Sequence, residues 1–392
     1  MRMQWLPLIA VLLLNIAIDV FLYRQLKAAG HNVLSKAHIA IAVIATACLA
    51  FCGAVLASGT TSLHTGTLLV MTYFMVYIPK FIGTLIYLPG MMMKKRTPGR
   101  RMAAYIAATI GLLVFVLMVW GYFVTPRQIQ VNEATLEFDN LPTEFDGYKI
   151  VQFSDAHLGS FAGDTAFVAR IVKRINEMDA DAVFFTGDLV STVSAEALPY
   201  RNTLSRIKAK DGVFSVLGNH DYDDYCRWMT PEQRDSDRLA LRQLQQGMGW
   251  KMLNNATSII GRGGDSIAII GIENYGDKPF PIYGTFGQAY HGNATDSVFK
   301  IVLQHNPYMW RHALVGKTNT SLTLSGHTHA MQTVLLGWSP SCWRYKEWAG
   351  LYNQGGQYLY VNTGLGTVGP PMRIGVAPEI TLITLRTKKH EQ

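Results

Sequence analysis

Apolar residues in the first third of this chain run on without alternating. Four stretches, 5–23, 38–58, 66–90 and 103–124, are each near or above the ~20 residues a helix needs to cross a bilayer. They predict four transmembrane helices within residues 1–126. Pro79 and Lys80 interrupt the third, where proline kinks a helix and a mid-depth charge is costly unless paired. Asp19 lies 14 residues beyond Trp5, and Lys80 lies 14 beyond Gly66. If both stretches run in the same direction, the two charges share a depth, and an intramembrane Asp19–Lys80 pair is expected.

From residue 148 the pattern changes. Short β-branched and aromatic runs alternate with polar helical stretches and turns, the signature of an α/β domain over 148–388. Strands are expected at 149–153, 182–186, 212–217, 266–271, 299–304, 321–324, 358–362 and 379–385, with helices at 164–178 and 231–246. Residues 127–147 fit either a linker or an edge strand.

Charge then refines the picture. The net charge of +8 suggests a polyanion partner, but residues 1–126 hold ten Lys/Arg and one acid, Asp19, and the remainder of the chain carries −1. The basicity therefore reports membrane topology and gives no sign of a nucleic-acid surface. The first connecting loop carries Arg24, Lys27 and Lys36, the second no charge, and the third Lys94, Lys95, Arg96, Arg100 and Arg101. The positive-inside rule puts loops one and three in the cytoplasm and the α/β domain outside the cytoplasmic membrane. One lost span would reverse that parity. A cleaved leader is disfavoured by a charged start of Arg2 alone and by the length of the first apolar run. Four cysteines in 392 residues exclude a disulfide-stapled fold. Cys48 and Cys52, one turn apart in an apolar span, suit packing. Cys226 and Cys342 could pair in an exported domain, which the sequence leaves open.

The polar residues gather where strands end: Asp155 and His157, Gly187-Asp188, Asn219-His220-Asp221, His305, and Gly326-His327-Thr328-His329. Open α/β sheets bind ligands at the carboxyl ends of their strands. Each piece alone is a common turn or a structural histidine. Five at separate strand ends imply one cluster of carboxylate, amide and imidazole donors, which needs a compensating positive charge. Mixed oxygen and nitrogen ligands suit Mn, Fe or Zn, whereas Ca prefers oxygen alone. The run Gly364-Leu365-Gly366-Thr367-Val368-Gly369 matches a dinucleotide glycine pattern, but Pro370-Pro371 follows it and no helix does, so that reading fails.

The series Asp-x-His, Gly-Asp, Gly-Asn-His-Asp, His and Gly-His-x-His resembles the calcineurin-like metallophosphoesterase superfamily, with all blocks in family order. The tail Tyr360–Gly366, followed by Pro370-Pro371 and Pro378-Glu379-Ile380, is similar to its membrane-associated bacterial branch, which includes relatives of UDP-2,3-diacylglucosamine hydrolases. One departure is visible: Ala330-Met331-Gln332 follows His329 where many relatives have Gly-Gly.

The resemblance implies two packed mixed β-sheets flanked by helices. It also implies two divalent metal ions. Asp155, His157 and His329 would hold the first, Asn219, His305 and His327 the second, and Asp188 would bridge them. His220 would be the general acid at the leaving oxygen, with Asp221 orienting a neighbour. The mechanism expected is in-line attack by a hydroxide bridging the metals, with no covalent enzyme intermediate. A phosphate ester is the expected substrate, and the membrane tether points to a lipid or lipid-linked one. Leu335, Leu336, Trp338, Cys342, Trp343, Tyr345, Trp348, Leu351 and Tyr352, with Arg344 and Lys346 among them, fit either a loop at the bilayer interface or a lid on the domain's own core. Two alternatives stand beside this reading. One is a UDP-2,3-diacylglucosamine-type pyrophosphatase with a cytoplasmic active site; the other is a non-catalytic membrane sensor.

Overall fold

The computed structural model describes residues 5–58, 63–95, 97–226, 229–293 and 295–388. It divides into two compact units, Met1–Tyr122 and Phe123–Gln392. The first is helical: α1 (Trp5–Ala28), α2 (Asn32–Ser58), α3 (Leu63–Met91) and α4 (Pro98–Phe123). Among the described residues three helices are long and apolar enough to cross a membrane, over Asn32–Phe51, Gly66–Met91 and Pro98–Arg127. This corrects the expected four. α1 also forms, and it carries Asp19, Arg24 and Lys27, charges that are costly in a bilayer unless paired.

Asp19 is nevertheless partnered. Lys80 Nζ lies 2.9 Å from its Oδ1 and Tyr77 donates to its Oδ2 at 2.7 Å. His38 Nε2 approaches the Asp19 carbonyl at 3.2 Å. Asp19 thus ties α1 to α2 through His38 and to α3 through Tyr77 and Lys80. Breaking a buried pair by removing one partner leaves the other charge stranded. Asp19→Asn and Lys80→Met are each expected to cost about 3 kcal/mol in detergent melts, and the double variant less than their sum. Strictly additive losses would show that the two charges do not support each other.

Among its described residues the second unit contains twelve strands. They are β1 (Gln130–Phe138), β2 (Lys149–Phe153), β3 (Ala182–Phe185), β4 (Gly212–Ser215), β5 (Lys251–Met252), β6 (Ala256–Arg262), β7 (Asp265–Ile272), β8 (Phe299–Gln304), β9 (Leu322–Ser325), β10 (Gly350–Gln354), β11 (Gln357–Val361) and β12 (Glu379–Thr387). They form two six-stranded mixed sheets, ordered β1-β12-β2-β3-β4-β5 and β10-β11-β9-β8-β7-β6. The undecided segment before residue 148 holds an edge strand, since β1 pairs in parallel with β12 along its length.

The two-residue period of the strands builds the layers. Ile150, Ala182, Phe184 and Phe214 of the first sheet meet Ile267, Ile269, Ile301, Leu303 and Leu324 of the second in one core. The alternate residues Val151, Phe153, Val183 and Phe185 face the helical layer, against Phe167, Val168, Ile171 and Ile175 of α5 (Thr165–Asn176) and Leu241 and Leu244 of α6 (Pro231–Gly247). α5 starts where it does because Asp164 caps it, accepting from the Phe167 amide at 2.9 Å. β2, β3 and β4 run parallel, as do β7, β8 and β9. Their polar carboxyl ends are therefore delivered in register to one edge of each sheet.

Candidate metal centre

Every residue singled out at the strand ends arrives in one place except where noted below. Asp155 and His157 follow β2, Asp188 follows β3, Asn219 to Asp221 follow β4, His305 follows β8, and His327 and His329 follow β9. Two triads result, Asp155–His157–His329 and Asp188–His305–His327, each with its ligand atoms within 4.8 Å of one another. His157 Nε2 lies 3.1 Å from His329 Nε2, which lies 3.2 Å from Asp155 Oδ1. Ligands bound to one cation at about 2.1 Å sit roughly 3 Å apart, so these separations suit a shared ion. The triads adjoin through Asp188, whose Oδ2 is 3.6 Å from His157 Nε2 and 3.1 Å from His305 Nε2.

The chemistry of the donors fits a cation. His305 Nδ1 is 2.8 Å from the Thr186 carbonyl, which can only accept, so Nδ1 carries hydrogen and Nε2 is left facing Asp188. Burial disfavours charge on His305, yet Asp188 and Asp155 outweigh it and raise its pKa to about 9. Burial likewise opposes ionisation of the two carboxylates, but the surrounding histidines hold both below the ordinary range. Burial keeps His157 neutral, and burial with the nearby His305 lowers His327 to about 3. Asn219 gives its Nδ2 to Tyr225 at 2.8 Å, while its Oδ1 is buried without a hydrogen-bond partner. An amide oxygen so placed is a ready cation ligand.

The backbone is strained to make this cluster. Asp155, His157, Asp188, His327 and His329 have φ of 49°, 39°, 60°, 74° and 49°, the left-handed region that side chains disfavour. Close backbone packing enforces it. A Cβ on Gly218 would strike the Asp188 carboxylate, and one on Gly326 that of Asp155. The Gly366 amide donates to the Asp155 carbonyl at 2.8 Å, and the Asp155 amide to that of Gly187 at 2.8 Å.

His220 and Asp221 sit beside the triads. The His220 amide donates to Asp188 Oδ1 at 2.8 Å, and its Nδ1 donates to the Ser191 carbonyl at 2.7 Å. Its ring stacks on Tyr225 at 4.2 Å and meets His157 edge-on at 4.9 Å. Asp221 accepts four backbone amides, from Asp188, Leu189, Val190 and Gly218, at 2.8–3.2 Å. It ties the β3 and β4 ends together. Burial and the Asp188 charge push its pKa to about 7, against the pull of those amides.

Sequence reasoning missed the supports. Arg373 is fully buried behind His329 and donates to the carbonyls of Thr363, Gly364 and Gly366. Glu379 accepts from the Thr363 amide and hydroxyl and from Tyr360. The segment 360–379, noticed as a motif, is thus a brace for the first triad. Cys226 and Cys342 are both free thiols, which corrects the pairing left open; buried Cys226 donates to the Thr192 carbonyl instead. The aromatic segment divides between its two readings. Tyr345 and Trp348 pack inward, whereas Leu336, Trp338 and Trp343 are exposed, Trp343 at 79%.

Residues 148–331 match the model of the calcineurin-like phosphoesterase family. The uncharacterized metallophosphoesterase YkuE of Bacillus subtilis is 29% identical over 285 residues, 68% of this chain and 90% of that protein. A zebrafish transmembrane protein with metallophosphoesterase domain is 30% identical over 288 residues, 70% of this chain and 61% of its own length. The UDP-2,3-diacylglucosamine pyrophosphatase LpxG of Chlamydia muridarum is 28% identical over 130 residues, 32% of this chain and 39% of that one. The chain thus spans less than two thirds of the zebrafish protein.

Proposed function

Since the chain carries a calcineurin-like phosphoesterase domain, we propose that it is a membrane-anchored hydrolase of a lipid or lipid-linked phosphate ester. The observation that carries this reading is the pair of triads, buried but for a partly exposed His327, that adjoin at Asp188 Oδ2. Asp155, His157 and His329 would hold one divalent cation and Asn219, His305 and His327 another, with Asp188 common to both. Two such cations, of Mn, Fe or Zn, would supply an acidified water and screen the charge of the phosphoryl oxygens. The chain's own groups do the rest. His220 has its Nδ1–H engaged with Ser191, so as the imidazolium it would give its Nε2 proton to the departing alkoxide and be left neutral with Nδ1–H still on Ser191. Asp221 fixes the amides around Asp188 and acts as a positioning residue.

The lipid assignment is supported by exposed apolar side chains in the segment that follows His329. Met331, two residues after His329, lies near Leu335, Leu336, Trp338 and Trp343 in sequence, and all five side chains are exposed. Exposed aromatic and aliphatic groups flanked by Arg344 and Lys346 suit a bilayer interface. The basic residues Lys94, Lys95, Arg100 and Arg101 between α3 and α4 would keep that connection in the cytoplasm, which puts the domain that follows α4 outside it.

The LpxG relative favours a second reading, hydrolysis of a nucleotide-linked lipid on the cytoplasmic side. Right-side-out and inverted membrane vesicles, assayed with Mn²⁺ on phospholipid and UDP-lipid substrates, decide. Turnover of a lipid phosphate in right-side-out vesicles supports the first reading, and UDP-lipid cleavage confined to inverted vesicles the second. Metal-loaded protein inactive on every phosphate ester would sink both.

A further inference from the structure

Resting on the metal-binding reading above, we propose that Tyr345 and Asp277 form a relay that fixes the tautomer of His327, so that Nδ1 is its electron-pair donor toward the second cation. Tyr345 comes from the segment that carries the exposed tryptophans, and Asp277 from the turn after β7; neither lies at a strand end that supplies the triads.

The chain of hydrogen bonds has only one consistent direction. Asp277 is a carboxylate and only accepts. Tyr345 donates to its Oδ1 at 3.1 Å, which commits the only hydroxyl hydrogen. His327 Nε2 lies 2.8 Å from the same hydroxyl oxygen. With that hydrogen spent, Nε2 must be the donor, and a neutral imidazole that donates from Nε2 presents its lone pair at Nδ1. Nδ1 is the nitrogen turned to the cluster, 3.3 Å from His305 Nε2. Were the relay absent, the hydrogen could equally sit on Nδ1 and blunt the site.

Asp277 is itself held. Asn306 donates to its Oδ1 at 3.2 Å, and Arg344 donates to its Oδ2 and to the Lys278 carbonyl. Phe280 closes on the His327 ring edge-on, with centroids 4.9 Å apart. The ring can therefore neither rotate nor exchange its partner without moving two segments. Carboxylates that orient a metal-bound histidine are common second partners of metal sites; here a tyrosine hydroxyl is interposed. Tyr345 and Asp277 are positioning residues in this account.

The test uses the full-length protein in detergent, stripped with a chelator and titrated with Mn²⁺ by calorimetry. Tyr345→Phe should weaken one of the two Mn²⁺ sites by about 10–100-fold and leave the other within twofold. Asp277→Asn retains an acceptor oxygen and should show a smaller loss at the same site, whereas Asp277→Ala should match Tyr345→Phe. The melting temperature of the cation-free protein should not change with Tyr345→Phe; if that variant does not fold, Asp277→Ala and Asp277→Asn decide on the same titration. Unchanged affinity at both sites, or a rise in KM alone, would overturn the relay and recast Tyr345 as a substrate contact. Wild-type protein that binds no Mn²⁺ would instead remove the metal reading on which the relay depends.

Discussion

Asp188→Ala is expected to lower phosphoesterase turnover by more than about a thousandfold, and to cut bound Mn²⁺ at both sites together. The reason lies in its place between the triads. Its Oδ2 lies 3.6 Å from His157 Nε2 and 3.1 Å from His305 Nε2, while its Oδ1 receives the His220 amide. Removing the side chain takes away the donor that the two proposed sites would share and frees the loop that aims His220. Asp188→Asn separates charge from shape. The amide oxygen can still accept from His220, but the negative charge that helps hold His305 up at about 9 is gone. Both variants should therefore fail to load metal, with Asn retaining more of the cation-free melting temperature. By contrast His157→Ala removes a group from the first triad alone and should spare the second site in the same titration. Loss of one site only in Asp188→Ala would show that the two triads are independent.

Much of this centre could be read from the chain because it is built locally. A buried parallel strand is an apolar run, and the residue at which the run stops is where the backbone leaves the sheet. Asp155, Asp188, Asn219, His305 and His327 each sit within a few residues of such a stop, so five local signals fixed one tertiary feature. What the sequence does not disclose depends on distant partners. Tyr345 looks like any interfacial aromatic until Asp277 is placed beside it, 68 residues away in the chain. Arg373 reads as a surface cation because a lone arginine gives no sign of the three carbonyls that surround it. Strands β1, β6 and β10 sit at or next to sheet edges and carry few fully buried residues, so their apolar pattern is faint. The membrane unit shows the reverse difficulty. Its apolar runs are plain, but whether α1 counts as a span turns on Asp19, and Asp19 is tolerable only because Lys80 and Tyr77 reach it.

His220→Gln should separate the chemical step from assembly of the centre. It is expected to reduce turnover of an alkyl phosphate diester by roughly 10²–10⁴-fold, the usual worth of a general acid, with both Mn²⁺ affinities and the melting temperature near wild type. The basis is where its contacts lie. The backbone amide, which Gln keeps, holds Asp188 Oδ1. The ring is oriented by Ser191 through Nδ1 and by the face of Tyr225, leaving Nε2 as the group to deliver a proton. Proton delivery matters in proportion to how badly the leaving oxygen needs it. An alkoxide departs as a strong base, so loss of the acid is felt in full. A nitrophenolate is stable as the anion, and the same variant should lose tenfold or less on that substrate. The ratio between the two substrates, followed from one preparation at one pH, therefore isolates the proton from binding and from metal loading. Equal losses on both would assign His220 to holding the phosphoryl group, and the proton would have to come from elsewhere in the site.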